Sequence, residues 1–156
     1  MSISLARELH RTVLLVDADL RNPSLHRYFE LEPTLGLVDY LLDDVPVNEL
    51  LIHPGIERLV LLPSGRVMPN SSELITSSKM LNLVDELKSR YPARIIVFDL
   101  PPLLATDDTL AFSPFVDATL LVIEDGGASR DEITRAVELL DGVELLGTVL
   151  NKADEK

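Results

Sequence analysis

The sequence predicts an α/β fold with a mostly parallel sheet and helices on both of its faces. Its buried strands are marked by continuous runs of Val, Ile and Leu, without the alternation that a half-exposed sheet shows. Helical patterns separate these runs, as expected for right-handed crossovers between parallel strands. The chain has 156 residues and no long linker, so we expect a single domain over residues 1–156.

Five segments have the composition of strands that are covered on both faces. The predicted strands are Thr12–Val16, Leu59–Leu62, Ile95–Phe98, Thr119–Ile123 and Leu145–Leu150. Uninterrupted apolar runs reach only about four residues, whereas a membrane-spanning helix requires roughly 20. The sequence therefore predicts strands of a soluble sheet and no membrane span.

The helices are predicted from caps and from the spacing of apolar residues. The clearest is Ser129–Asp141, where Ser129 and Glu132 match a capping box and Gly142 follows at the C-terminal end. The longest is Glu73–Arg90, which Pro92 ends and whose buried face would consist of Met80, Leu83, Val84 and Leu87. Shorter helices are predicted at Ser2–His10, at Pro23–Phe29 with Asn22 as its cap, and at Leu35–Leu42.

Composition excludes several classes of site. The chain has no cysteine, which excludes disulfides, thiolate metal sites and a cysteine nucleophile. Its formal net charge is −12, and no basic stripe is present, so we expect no nucleic-acid partner. The first ten residues lack the apolar block of a secretory signal. His10, His26 and His53 do not have the spacing of metal ligands.

Two predicted strands end in aspartate, at the edge where open α/β sheets bind ligands. Asp17 ends the first strand, Asp19 follows two residues later, and Asp99 ends the third strand. We therefore expect three carboxylates to converge on one crevice. Such a crevice suits Mg²⁺, which is held by a few carboxylates together with phosphate oxygens. The simpler interpretation is that each aspartate caps the turn or helix that follows it.

The segments around these aspartates resemble motifs of a known family. The stretch V-L-L-V-D-A-D-L-R-N-P-S from Val13 is similar to the second Walker-A-type motif of the bacterial tyrosine autokinases, and I-I-V-F-D-L-P-P-L-L from Ile95 to their Walker B motif. The link L-L-P-S-G-R-V-M-P-N-S-S-E-L-I and the last strand L-L-G-T-V-L-N-K-A also resemble this family. The similarity covers nearly all of residues 1–153. It implies the P-loop NTPase fold of the ParA and MinD ATPases.

The resemblance implies a role for each residue of the motifs. Asp17 and Asp19 would be catalytic, with Asp17 activating the attacking tyrosine hydroxyl and Asp19 near the phosphates. Asp19 and Asp99 would hold Mg²⁺, the latter through water. Arg21 and Asn151 would bind ATP, with Asn151 at the adenine. Arg21 alternatively forms a surface ion pair.

The motif N-K-x-D at residues 151–154 has a second interpretation, because GTPases read guanine with it. Those GTPases carry Asp-x-x-Gly after the Walker B strand, whereas here Asp99 is followed by Leu, Pro and Pro. The sequence therefore favours ATP over GTP.

The chain departs from the family pattern in one respect. It contains no G-x-x-x-x-G-K-[ST], the loop whose amides and lysine hold the phosphates of ATP; its first glycine is Gly36 and its first lysine is Lys79. The resemblance implies that the first strand and the P-loop are both missing. That strand would lie beside Ile95–Phe98, so we expect an open strand edge, a chain less stable than its composition suggests, and little or no catalysis.

The resemblance also implies a biological context. The family consists of cytoplasmic tyrosine kinases of exopolysaccharide synthesis, which use ATP and Mg²⁺ and act beside a membrane-anchored polysaccharide chain-length or export protein. A homo-oligomer and a location at the inner membrane through that partner are further expectations. Two alternatives stay open: a non-catalytic interaction module that binds the chain-length protein, and a fragment of a ParA/MinD-type ATPase.

Overall fold

The structure is a computed structural model that describes residues 1–8, 11–90 and 93–153. The chain divides into two compact units, Met1–Pro101 and Pro102–Lys156. Each unit has its own parallel sheet. The α/β class is confirmed, while the single domain over residues 1–156 stays a prediction. No helix of the described residues is long and apolar enough to cross a membrane.

The sheet of the first unit has three parallel strands in the order β2-β1-β3. These strands are β1 (Val13–Asp17), β2 (Leu59–Leu62) and β3 (Ile95–Asp99). Every residue of β1 is buried, as its continuous apolar sequence predicts. The register pairs Asp17 with Asp99, so the two predicted strand-end aspartates are neighbours at the carboxyl edge of the sheet.

The described residues of the first unit form six helices. They are α1 (Ser2–Glu8), α2 (Leu25–Tyr28), α3 (Leu37–Asp43), α4 (Val47–Leu50), α5 (Ser72–Ile75) and α6 (Ser78–Arg90). The predicted face of α6 is confirmed, because Met80, Leu83, Val84 and Leu87 are all buried. Ala6 of α1 joins a buried cluster with Val13, Leu15, Leu59 and Leu61. His10 and Pro92, predicted at helix ends, lie outside the described residues.

The prediction of one long helix over Glu73–Arg90 is wrong, because the chain forms the two helices α5 and α6 there. The break follows from hydroxyl side chains that compete for backbone groups. Ser77 Oγ donates to the carbonyl oxygen of Leu74 at 2.8 Å and accepts from the amide of Met80 at 3.2 Å. Ser77 thereby ends one helix and begins the next.

The predicted helix Pro23–Phe29 is also shorter than expected. It is the single turn α2, and Ser24 rather than Asn22 stands at its N-cap position. The Asn22 amide instead donates to Asp19 Oδ1 at 2.9 Å. Asn22 therefore belongs to the loop after β1 and not to the helix.

The second unit contains the strands β4 (Thr119–Glu124) and β5 (Leu145–Asn151), which pair in parallel. Its helices are α7 (Asp108–Phe112), a short 3-10 helix at Ser113–Phe115, and α8 (Arg130–Leu139). The predicted capping box of α8 is confirmed: the Ser129 amide donates to Glu132 Oε2 at 2.8 Å, and the Glu132 amide donates to Ser129 Oγ at 3.3 Å.

Within the described residues, the two edges of the sheet of the first unit differ in their backbone pairing. On the β2 side, Ile52 and Leu61 exchange two backbone hydrogen bonds of 2.8 Å. On the β3 side, the Ile95 amide donates to the Thr12 carbonyl oxygen at 3.0 Å. Since alternate residues of a parallel strand face the same neighbour, the amide and carbonyl of Ile96 point away from β1. Within the described ranges no strand of this sheet pairs with that side of β3.

The open edge predicts a chain that self-associates as its concentration rises, because a long apolar edge strand is a template for pairing. Ile96→Pro removes only an amide that faces away from β1, so it should reduce association while β1 and β3 stay paired. Val97→Pro removes an amide of the β1–β3 ladder and should therefore lower the melting temperature more than Ile96→Pro does. Sedimentation velocity over a concentration series, with thermal melts, measures both effects. A monomeric wild-type chain with a cooperative, high-temperature melt would contradict the prediction.

Candidate functional site

Asp17 is fully buried at the end of β1, and its two carboxylate oxygens have different surroundings. Oδ2 accepts hydrogen bonds from the amides of Ser24 at 3.2 Å and Leu25 at 3.1 Å, so it caps the start of α2. Oδ1 is buried and has no hydrogen-bond partner among the described residues. Capping, the simpler interpretation, therefore explains one oxygen of Asp17 and not the other.

The other two aspartates of the motifs lie around Asp17. Asp99 stands beside it in the strand register, and the Asp99 carbonyl oxygen accepts from the Ala18 amide at 2.9 Å. Asp19 follows on the loop after β1, where its Oδ1 accepts from the Asn22 amide. The parallel sheet thus brings all three predicted aspartates to one edge of the first unit.

This arrangement concentrates negative charge in a partly desolvated place. The pKa of Asp17 is raised to about 6, chiefly by burial; the charges of Asp99 and Asp19 contribute to the rise, and the hydrogen bonds from Leu25 and Ser24 oppose it. Burial also raises the pKa of Asp99, with Asp19 adding to the effect. A cation at this edge would relieve the mutual repulsion of these carboxylates.

The three aspartates do not form a metal site by themselves. Among the described residues, no group of three or more histidine, cysteine or acidic side chains could hold a metal ion. The expectation that three carboxylates converge on one crevice as a metal site is therefore corrected: they lie at one edge of the sheet but do not form a three-carboxylate metal site. Mg²⁺ still fits the residues present, because it commonly takes only one or two carboxylates and fills its remaining positions with water and phosphate oxygens. The orphan Oδ1 of Asp17 is consistent with such a nearby cation or its water.

Arg21 lies on the same loop as Asp19 and joins it to α5. Its Nη2 donates to Ser72 Oγ at 3.0 Å, across 51 positions of sequence. The predicted alternatives were an ATP contact and a surface ion pair. The Ser72 contact holds the Arg21 guanidinium beside the start of α5, and its role toward ATP stays a prediction.

Asn151 belongs to the second unit, where it ends β5 in register with Glu124. It is exposed, and its carbonyl oxygen accepts from the Asp125 amide at 2.8 Å. Lys152, the next residue of the N-K-x-D motif, forms an ion pair of 2.8 Å with Glu124. The adenine contact predicted for Asn151 stays a prediction.

Sequence reasoning missed the residues that brace the site from outside the motifs. The sequence did not single out Ser72, Asp39 or Arg66 as site residues. A signal for Asp39 existed, because an aspartate amid the aliphatic residues of a short helix is unusual for a buried position. Its partner, Arg66, could not be found from spacing, because it lies in a loop that is distant in sequence from α3.

Comparison with known proteins places the chain among kinases. No protein-family profile matches it. It is 35% identical over 143 residues to the tyrosine-protein kinase YwqD of Bacillus subtilis, covering 90% of this chain and 60% of that protein. It is 32% identical over 154 residues to the putative tyrosine-protein kinase CapB of Staphylococcus aureus, covering 97% of this chain and 66% of that protein. The chain thus spans less than two thirds of the length of these relatives.

Solved structures give the same result. The chimerical protein CapA2B2 superposes with a TM-score of 0.91 at 34% identity, over 99% of this chain and 68% of that one. The kinase domain of the Escherichia coli tyrosine kinase ETK gives 0.88 at 28% identity, over 99% and 60%. The septum site-determining protein MinD of Pyrococcus horikoshii, solved with Mg-ADP, gives 0.73 at 23% identity over 96% and 60%, a likeness of fold alone.

Proposed function

Since the chain belongs to the bacterial tyrosine kinases, whose fold is that of the MinD-type P-loop ATPases, we propose that it carries the aspartate-bearing part of a kinase site. The reaction is transfer of the γ-phosphoryl group of ATP to a tyrosine, in regulation of exopolysaccharide synthesis. The observation that carries this proposal is the Asp17 carboxylate, of which only Oδ2 is used in capping.

Asp17 would accept the proton of the attacking tyrosine hydroxyl. The amides of Ser24 and Leu25 fix Oδ2, so the carboxylate has one orientation and Oδ1 remains for a bond to the reacting group. With its pKa raised to about 6, Asp17 is ionised roughly ten to one at pH 7 and is a stronger base than an ordinary aspartate. These properties are those of a general base.

Asp19 and Asp99 would hold Mg²⁺, which supplies charge neutralisation between carboxylates and phosphates. Their proximity to Asp17 supports this, because each adds negative charge at the same edge of the sheet. Arg21, fixed beside α5 by Ser72, would contact phosphate, and Asn151 would contact adenine.

The chain by itself is proposed to be inactive. Its 156 residues contain no G-x-x-x-x-G-K-[ST], so neither the amide cradle nor the lysine for the phosphates is supplied. Carboxylates repel ATP unless a cation is bound, and the net charge of −12 adds to this repulsion. Catalysis therefore requires a phosphate-binding segment besides these residues.

We further propose a cytoplasmic location at the inner membrane, reached through a membrane-anchored polysaccharide chain-length or export protein, with self-association as a homo-oligomer. The similarity to kinases of capsule and exopolysaccharide systems supports this context. The alternative function is a non-catalytic module that binds the same export protein. The kinase function requires the aspartates for binding Mg²⁺ and for catalysis, whereas the interaction module would bind the export protein without them.

Titration of the full chain with Mg²⁺ alone, followed through backbone amide signals, tests the metal site. We expect the amides around Asp17 and Asp99 to shift, and Asp99→Asn to weaken binding at least tenfold because it removes one of the carboxylates proposed to hold the ion. Asp85→Asn, at an exposed position of α6, is the matched control and should leave binding unchanged. If Mg²⁺ shifts no signal, or shifts them equally in Asp99→Asn, the metal role is wrong. Retention of the export protein by Asp17→Ala and Asp99→Ala would then favour the interaction module.

A further inference from the structure

Asp39 is a buried carboxylate that the proposed site does not use. It is 4% exposed on α3, whose other buried residues are aliphatic. Its Oδ2 accepts from the Gly36 amide at 2.7 Å, and its Oδ1 lies 3.2 Å from Arg66 Nη2. Because a buried charge is costly unless it is paired and hydrogen-bonded, these two partners maintain Asp39 in its place.

Arg66 ties α3 to the loop Pro63–Asn70 that follows β2. The nitrogen that contacts Asp39, Nη2, also contacts Asp43 Oδ2 one turn farther along the helix. Two carboxylates of α3 therefore meet one nitrogen of the loop. The Asp39 partner of this pair is desolvated, which strengthens the attraction relative to an ion pair that is exposed on both sides.

The backbone of the same loop is pressed against the start of α3. The first two amides of the helix donate to the carbonyl oxygens of Pro63 at 2.8 Å and Ser64 at 3.0 Å. A Cβ at Gly36 would lie 2.3 Å from the amide nitrogen of Gly65, so these two backbones meet where no side chain fits. The N-terminal part of the loop is thus fixed to α3 independently of any ligand.

The C-terminal part of the loop contacts the segment after β1 that carries Asp19 and Arg21. The Met68 amide donates to the Leu20 carbonyl oxygen at 2.7 Å, and Ser72, where α5 begins, accepts from Arg21. Leu20 and Arg21 directly follow Asp19 in sequence. A displacement of the loop would therefore be transmitted to the backbone on both sides of Leu20.

We propose that Asp39 and Arg66 are positioning residues, which fix the loop Pro63–Asn70 on α3 and thereby hold Asp19 and Arg21 in place. Neither residue is among those proposed above to bind nucleotide or metal. The significance of the positioning rests on the proposed function, because Asp19 and Arg21 are the groups proposed to meet metal and phosphate. The contacts themselves exist in the chain without any ligand, so they are tested separately.

Amide hydrogen exchange and ¹H–¹⁵N NMR of the full chain with Arg66→Gln test the positioning. We expect exchange of the Met68 amide to rise at least tenfold, and the Asn22 amide signal to shift because its acceptor, Asp19 Oδ1, is less fixed. Amides of β1 should keep their exchange rates. Arg66→Lys is expected to restore both signals, since a single nitrogen makes both ion pairs in the wild-type chain.

Arg90→Gln is the matched control, because Arg90 pairs with Glu86 at 2.7 Å and its side chain is 51% exposed against 50% for Arg66. It should leave the Met68 and Asn22 signals unchanged.

Unchanged signals in Arg66→Gln, or equal changes in Arg90→Gln, would overturn the proposal. If Arg66→Gln does not fold, Asp43→Asn removes only the exposed carboxylate and should produce smaller changes of the same kind; no change there would also overturn it. The absence of nucleotide from these measurements separates this outcome from a failure of the kinase assignment.

Discussion

The free energy of unfolding is expected to fall by about 2.4 kcal/mol as the pH rises from about 4 to about 8, through Asp17 alone. The pKa of Asp17 is raised from 3.8 to about 6 in the folded chain, chiefly by burial. Between these two values the folded chain binds a proton that the unfolded chain has released. Stability therefore decreases with rising pH across this interval and is constant with respect to Asp17 above it. The raised pKa of Asp99 acts in the same direction.

Asp17→Asn should remove this part of the pH dependence. Its side-chain oxygen can still accept from the amides of Ser24 and Leu25, so the cap of α2 is retained. Chemical denaturation at pH 4, 5, 6, 7 and 8 gives the difference in unfolding free energy between variant and wild type. We expect that difference to move in favour of the variant by about 2.4 kcal/mol from the lowest to the highest pH. Asp85→Asn is the control, and a parallel pH dependence of Asp17→Asn and wild type would contradict the prediction.

The position of Asp17 illustrates what the sequence can predict and what it cannot. Continuous apolar runs ending in aspartate suffice to predict two parallel strands and a shared carboxyl edge, and the register of Asp17 with Asp99 bears this out. The sequence did not predict that Oδ2 of Asp17 caps α2 while Oδ1 has no hydrogen-bond partner among the described residues. It depends on the positions of the Ser24 and Leu25 amides. Asn22 and Pro23 suggest a helix that begins at Pro23, whereas α2 begins at Leu25.

Long-range side-chain contacts were equally inaccessible to sequence reasoning. The pairs Asp39–Arg66 and Arg21–Ser72 join loops and helices that are distant in sequence, and no periodicity encodes such a pairing. The break between α5 and α6 had a local signal in the hydroxyl run that ends at Ser78, but the apolar periodicity around it favoured one helix. Local sequence patterns thus predicted the strands, whereas the side-chain contacts around the site could be identified only in the folded structure.

Phosphoryl transfer by the 156-residue chain is expected to be undetectable, whereas addition of a phosphate-binding segment should produce it. A fusion that places the first strand and G-x-x-x-x-G-K-[ST] loop of a kinase relative before Met1 would supply the phosphate-binding motif that these 156 residues do not contain, together with the strand that the family resemblance predicts beside β3. The added strand would pair with the side of β3 that the Ile96 amide faces. The loop amides and lysine would bind the phosphates and so offset the repulsion between ATP and the aspartates. The loop and Mg²⁺ are both needed, because neither the loop amides and lysine alone nor the cation alone would bind the phosphates of ATP firmly.

In the fused protein, Asp17→Asn should lower the rate of tyrosine phosphorylation by about 10²–10⁴, the usual contribution of a positioned general base. Asp85→Asn should leave the rate unchanged, since it alters charge on the exposed surface of α6. Transfer of ³²P from labelled ATP to a tyrosine-containing acceptor, with Mg²⁺ present, measures both rates and that of the unfused chain. Tyrosine phosphorylation by the unfused chain would show that the missing loop is dispensable. A fully active Asp17→Asn fusion would instead remove Asp17 from the chemistry and leave it as the cap of α2.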